Sequence, residues 1–361
     1  MKKNVLSVLI IWLLIFGTLE KNVSGQPDRI KHGKQELFLS GINLAWINFG
    51  NDLGNFNEDK FTRAMDEISA AGGNSVRWWL HTNGRNSPQF TNGKVSGIDP
   101  DEISHLKKAL DIAYNRGIVL DLCLWSFDML QPNAGKDNLA RNRKLLEDTA
   151  YTKAYIQNAL IPMVSALKGH PGILCWEVFN EPEGMTSKFG WTPEKVNISY
   201  VQQFVNLVAG AVHRTDPSAK VSNGSWNIKV LTDVDGFHNY YRDDRLIAAG
   251  GDKDGTLDFY MVHYYPQHFG VSQSPFHHPA SYWKLNKPLV IAEFPAKGIS
   301  LGKNSLSTLQ AYQYAFDNGY AGAMSWTWTG HDGNGGLTEC KESLLYLSKN
   351  HPEAIVLDKG K

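Results

Sequence analysis

Eight short apolar runs, rich in β-branched and aromatic residues, recur along the chain and alternate with longer segments of helical period. They are FLSGINLAW from Phe38, SVRWWLH from Ser75, IVLDLCLW from Ile118, ILCWEVFNEP from Ile173, AKVSNGS from Ala219, DFYMVHYYP from Asp258, PLVIAEF from Pro288 and GAMSWTW from Gly322. Between them the 3.6-residue period predicts helices over Glu58 to Ala71, Asp101 to Asn115, Thr149 to Leu167, Ser199 to His213 and Ser305 to Asp317. Several open beside Asp, Ser or Thr and close near glycine, as Asn115-Arg116-Gly117 does ahead of the third run. This repetition predicts an α/β fold, a single (β/α)₈ TIM barrel, whose usual ~250 residues leave room for long loops. Gln131 to Glu147 reads as one such loop. The runner-up fold is an open doubly wound sheet; against it, no glycine-rich phosphate turn follows the first run.

The N-terminus breaks the pattern. Lys2 and Lys3 precede a mostly apolar run from Val5 to Gly17, then small or polar residues including Ser24 and Gly25. That order predicts a signal peptide over about residues 1–25, hence a secreted protein, with residues 26–361 forming one catalytic barrel. A retained membrane anchor is the alternative, but the run is too short for a ~30 Å hydrocarbon core. No linker, repeat or low-complexity tract divides the remainder.

Charge narrows the range of partners: 36 basic and 36 acidic side chains balance to a formal net charge of zero, so no field gathers nucleic acid. Hydrophobic residues are 42% of the 361, enough for a large core, and no later stretch is apolar for the ~20 residues of a membrane span. The mature chain is read as a monomer without contact to nucleic acid or membrane. Cys123, Cys175 and Cys340 permit at most one disulfide, and the first two sit in apolar runs where a free thiol behaves as a small hydrophobe.

In such a barrel the chemistry lies at the C-terminal ends of the strands. The fourth run is apolar until it emerges as Asn180 and Glu181, and Pro182 then ends the pairing. Strict alternation sends Asn180 and Glu181 to opposite faces, so both serve one pocket only if the strand twists or bulges there. Glu293 ends the seventh run in the same way. Two glutamates closing separate strands suit cleavage between sugars, where one acid donates a proton and the other attacks or activates water.

Further polar groups close other runs: Arg77, suited to hold a carboxylate ionised, with His81, His263, Tyr265 and Trp326. Each also has a reading as core or barrel salt bridge. Glu177 shares the face of Glu181 one layer deeper and reads as interior structure, whereas Glu183 reads as loop. The chain holds 11 tryptophans, with Trp46, Trp125 and Trp226 at strand ends, where flat rings suit sugar faces. His263, His268, His277 and His278 match neither an HExxH helix nor a Cys/His zinc pattern, so neither a metal nor another cofactor is expected, and the lack of a GxSxG elbow weighs against an esterase. Asn197-Ile198-Ser199 and Asn223-Gly224-Ser225 fit the N-glycosylation acceptor pattern.

Taken together, WEVFNEP, VHYYP, VIAEF and MSWTW resemble glycoside hydrolase family 5, a family of retaining barrel enzymes. GINLAWINFG, GGNSVRWWLH, GSWN, GFHNYY and SPFHH extend the likeness to its endo-β-1,4-mannanases of molluscs, other invertebrates and bacteria, from about Phe38 to Trp328. The resemblance implies Glu181 as acid/base and Glu293 as nucleophile. It further implies Asn180 on the sugar 2-hydroxyl, Arg77 and Tyr265 supporting Glu293, His263 lining the site, and Trp326 as a platform at the −1 subsite. Many members carry a histidine after the third strand; here DLCLWSFD puts Trp125 near that place, where it would floor a subsite. The substrate implied is a β-mannan polysaccharide, with β-1,4-glucan cleavage, exo-mannosidase action or a catalytically silent polysaccharide-binding barrel as alternatives.

Overall fold

In the computed structural model, which describes residues 29–359, the eight apolar runs become eight parallel strands closing on themselves in chain order. They are β1 (Leu39–Asn43), β2 (Ser75–Thr82), β3 (Val119–Ser126), β4 (Ile173–Asn180), β5 (Val221–Ser225), β6 (Tyr260–His263), β7 (Leu289–Glu293) and β8 (Gly322–Ser325). β8 pairs with β1, Gly322 opposite Leu39, and completes the (β/α)₈ barrel. The N-terminal apolar run falls outside the described residues, among which no helix is long and apolar enough to cross a membrane.

The period-2 alternation sorts side chains between two cores. On β2, Val76, Trp78 and Leu80 enter the core between barrel and helices, which leaves Arg77 and Trp79 on the axis. Inside, the lower end is apolar: Leu39, Val119, Met261, Val290 and Met324 pack with Ile30 and Leu37. Those last two belong to a hairpin, Ile30–His32 and Gln35–Leu37, that seals the bottom.

All five predicted helices form, at Glu58–Ala70, Pro100–Tyr114, Thr149–Ala166, Ile198–Thr215 and Thr308–Asp317. Asn57, Asp99, Asn197 and Ser307 cap four of them by accepting backbone N–H groups of the first turn. The helix opening at Thr149 widens into a π-turn at Ile156–Leu160, next to Pro162, which has no N–H for the α-helical ladder. Gln131 to Glu147 is not an open loop: Lys136–Glu147 is helical. It buries only Asn142, Leu145 and Leu146, a stripe too thin to show as periodicity. Asp243–Gly250 and Leu337–Asn350 are likewise helices that the pattern did not announce.

All three cysteines are buried and free. Cys175 Sγ donates to Asp121 Oδ1 at 3.1 Å, while Cys123 lies 3.9 Å from Arg77. Of the two glycosylation patterns, Asn197 is exposed, but Asn223 is fully buried and closed to modification.

At their upper ends β3 and β4 abandon alternation together. Val178 and Phe179 both enter the outer core, as do Leu124 and Trp125, and the pairs Trp125↔Phe179 and Ser126↔Asn180 keep the strands in step. The pairing of β4 with β5 slips between Glu177 and Asn180. Two successive outward residues return Asn180 and Ser126 to the axis. Glu181 then adopts left-handed φ 46° and ψ 52°, uncommon for a side chain of its size, and its N–H donates to Gly224 O at 2.6 Å. This is the bulge that two adjacent residues need to reach one pocket.

Candidate active site

Arg77 organises the upper barrel. Wholly buried, it grips Glu177 with Nε to Oε2 at 2.5 Å and Nη2 to Oε1 at 2.7 Å. Nη1 donates to Glu293 Oε1 and to Asn43 Oδ1 at 3.1 Å, and Nη2 donates to Asn180 Oδ1 at 2.9 Å. One guanidinium, with its planar fork of donors, thereby fixes two strand-end groups against Glu177, which is interior structure as its depth in β4 implied.

The other oxygen of Glu293 accepts from Tyr265 Oη at 3.0 Å. His263 Nδ1 lies 2.9 Å from Glu181 Oε1 and 3.5 Å from Glu293 Oε2. Burial lowers the His263 pKa to about 4, so the ring is neutral near pH 7. Burial also pushes Glu181 up to about 7, against the nearby Arg77 charge and with help from Asp128. Glu293 is raised too, again by burial, but His263, Arg77 and the Tyr265 hydrogen bond oppose the rise. An oxygen of Glu181 and an oxygen of Glu293 stand within 4.8 Å of each other. With His263 they match the spacing of a three-ligand cation site.

Both acids open into a cleft of about 790 Å³. From β2 and from just past the ends of β1 and β8 come Trp79, Trp46 and Trp326, with ring centroids 5.1 to 5.8 Å apart. A second aromatic group, from the loops after β4, β5 and β6, joins Trp191, Trp226 and Phe269 at 5.6 and 5.0 Å. Lys229 Nζ caps the Trp226 ring at 4.2 Å. A separate depression, about 1120 Å³ beside Trp328 and the helix from Leu337, does not reach the paired glutamates.

A family model described as cellulase (glycosyl hydrolase family 5) matches residues 32–332. The chain belongs to glycoside hydrolase family 5. A mannan endo-1,4-β-mannosidase of Mytilus edulis is 37% identical over 337 residues, 86% of this chain and 88% of that protein. Another, from Cryptopygus antarcticus, is 33% identical over 348 residues, 88% of this chain and 87% of its own. The solved β-mannanase of the blue mussel matches with TM-score 0.81 at 32% identity, covering 92% of this chain and 97% of that one. For the endo-1,4-β-mannanase of Eisenia fetida the values are 0.80, 33%, 89% and 94%. This chain is therefore a glycoside hydrolase.

Within this family 5 barrel, nine of the eleven residues singled out from sequence gather at the cleft: Glu181, Glu293, Arg77, Asn180, His263, Tyr265, Trp326, Trp46 and Trp226. Trp125 and His81 do not. Trp125 is fully buried in the outer core against Tyr155, because the break in β3 turns it away from the axis, so it floors no subsite. His81 lies beyond a slip in the pairing of β2 with β3 and bonds Ser87 Oγ at 2.9 Å, facing Trp125 and Tyr155.

Glu183 lies, as read, in the loop beyond β4, within the short turn Pro182–Met185. It is wholly buried, accepting from Tyr241 Oη at 2.5 Å and from the Trp226 N–H at 3.2 Å. Sequence reasoning passed over Asp128, Trp191 and Lys229, which also line the cleft. Asp128 carried a signal, standing three residues past Trp125 at the end of a run already marked; Lys229, on a short turn, carried none.

Proposed function

We propose that the protein is a secreted, retaining endo-β-1,4-mannanase acting as a monomer on internal linkages of mannan, glucomannan or galactomannan. The spacing of Glu181 and Glu293, with oxygens within 4.8 Å, carries the mechanism. Retention by double displacement uses carboxyl groups ~5–5.5 Å apart, whereas inversion needs ~6.5–9.5 Å to admit water. Glu293, bonded by Arg77 and Tyr265, attacks the anomeric carbon. Glu181, which holds its proton up to about pH 7, protonates the departing oxygen and then, as base, draws a proton from the water that hydrolyses the glycosyl-enzyme.

Choice of mannan rests on the relatives, each named a mannan endo-1,4-β-mannosidase. The cellulase description of the family model favours β-1,4-glucan as a second reading. Product release from mannan, carboxymethyl-cellulose and short manno-oligosaccharides separates the two, using the unmodified protein and its Glu181→Gln and Glu293→Gln forms. Mannan cleavage into oligosaccharides, lost by orders of magnitude in each variant, is the expected outcome; equal rates on cellulose reject the mannan assignment. Proton NMR of the first product distinguishes retention, seen as the β-anomer, from inversion. Secretion follows from the predicted leader, and its test is the N-terminal sequence of exported protein.

A further inference from the structure

Asn180 presents its amide to the cleft held at both ends. Arg77 Nη2 donates to its Oδ1 at 2.9 Å, and its own Nδ2 donates to Ser126 Oγ at 3.2 Å. Ser126 Oγ also accepts the Asp128 N–H at 3.3 Å and donates to Asp128 Oδ2 at 2.6 Å. A hydroxyl has one proton to give and two lone pairs, so every bond Ser126 can make is in use.

The direction of this chain follows from its far end. An ionised Asp128 only accepts, so the Ser126 hydroxyl must donate to it and must therefore accept from Asn180. Asn133 Nδ2 steadies the other Asp128 oxygen at 3.3 Å. Burial pushes the Asp128 carboxyl up, but the bonds from Ser126 and Asn133 pull it back. All three members are at least nine-tenths buried. With one amide hydrogen committed to Ser126, the other is left to point at a sugar hydroxyl.

We propose that Asp128 and Ser126 are positioning residues that aim the Asn180 amide at the C2 hydroxyl of the sugar undergoing cleavage. This rests on the reading of the site given above, in which Asn180 meets that hydroxyl. C2 is where mannose and glucose differ, so the relay governs the contact on which discrimination between them depends. A plainer role exists as well, since the Ser126–Asp128 pair also caps the short turn Phe127–Leu130. Loss of a cap lowers stability, but it does not single out one substrate hydroxyl.

The test therefore compares an aryl β-manno-oligoside with its analogue lacking the C2 hydroxyl on the cleaved sugar, in the full chain and its Asp128→Asn and Ser126→Ala forms. Measured on the acid side of every form's alkaline edge, where Glu181 keeps its proton, each substitution should lower kcat on the parent substrate about 10- to 100-fold with little change in KM, and lower the slow hydrolysis of the deoxy analogue far less. The double variant should lose no more than the worse single one, because both act through one amide. Equal losses on the two substrates, no loss on either, or additive losses would overturn the proposal. If Asp128→Asn does not fold, Ser126→Ala carries the same comparison. A wild type that prefers gluco-configured substrates refutes the mannan reading but leaves this comparison intact, because the gluco substrate and its 2-deoxy analogue replace the manno pair.

Discussion

Tyr241 donates its hydroxyl to Glu183 at 2.5 Å, and both side chains are wholly buried. Burial pushes Glu183 to about 7 from an ordinary 4.5, despite hydrogen bonds from Tyr241 and Trp226. A carboxyl raised in the folded state favours folding fully below its unfolded pKa, and that contribution is lost as pH rises through the folded one. Between pH 4.5 and 7 this single group should cost about 3 kcal/mol. Glu183→Gln cannot ionise, so its thermal midpoint should fall less between pH 5 and 8 than that of the unmodified protein. Parallel melting curves for the two would refute the assignment.

Glu181 sets the alkaline edge of activity. The reactive form holds a proton on Glu181 while Glu293 is ionised. kcat/KM should therefore decline as pH rises through about 7, and on the acid side at a pH above that of an ordinary glutamate. Asp128 adds to the upward push on Glu181, so Asp128→Asn should move the alkaline edge to lower pH. An unmoved edge would show that burial alone sets it.

The fold and the paired acids were legible because their signals are periodic. Apolar runs alternating with helical segments describe a barrel, and polar residues that abruptly close such runs mark its upper rim. What misled at Trp125 was its place near the histidine that many members carry after the third strand. At Leu124–Trp125 and Val178–Phe179 two successive side chains turn outward, which removes Trp125 from the cleft while bringing Asn180 into it. One kind of irregularity thus defeated one expectation and satisfied another. Asp128, Glu183 and Lys229 lie on short turns beyond the strands, where placement follows from tertiary contacts and no sequence period exists.

Arg77 should tolerate no conservative replacement. Lysine keeps the charge but lacks the planar fork that spans Glu177, Glu293 and Asn180. Arg77→Lys should lower kcat about 100-fold, because Glu293 and Asn180 both lose their alignment. It should also cost about 3–5 kcal/mol of stability by leaving buried carboxylates underpaired. Kinetics on mannan, with urea unfolding of the same sample, reads both. Activity within a few-fold of the original would mean that Tyr265 and His263 suffice to hold the nucleophile.

Gly224 tests how rigid this network is. A Cβ placed there would lie 2.2 Å from Glu177 Oε1, 2.9 Å from Arg77 Nη2 and 3.1 Å from His263 Nε2. None of these atoms is the loose end of a flexible chain, for Glu177 and Arg77 are locked together by two short bonds. Relief would require breaking the bidentate pair or shifting β5, whose Gly224 carbonyl receives the Glu181 N–H. Gly224→Ala should therefore cost about 3 kcal/mol or more and reduce activity beyond what the stability loss explains, since Glu181 moves with the strand. A folded variant with unchanged kcat and thermal midpoint would mean that the ion network yields, and that the precise seating of Arg77 is not what sets the two acids.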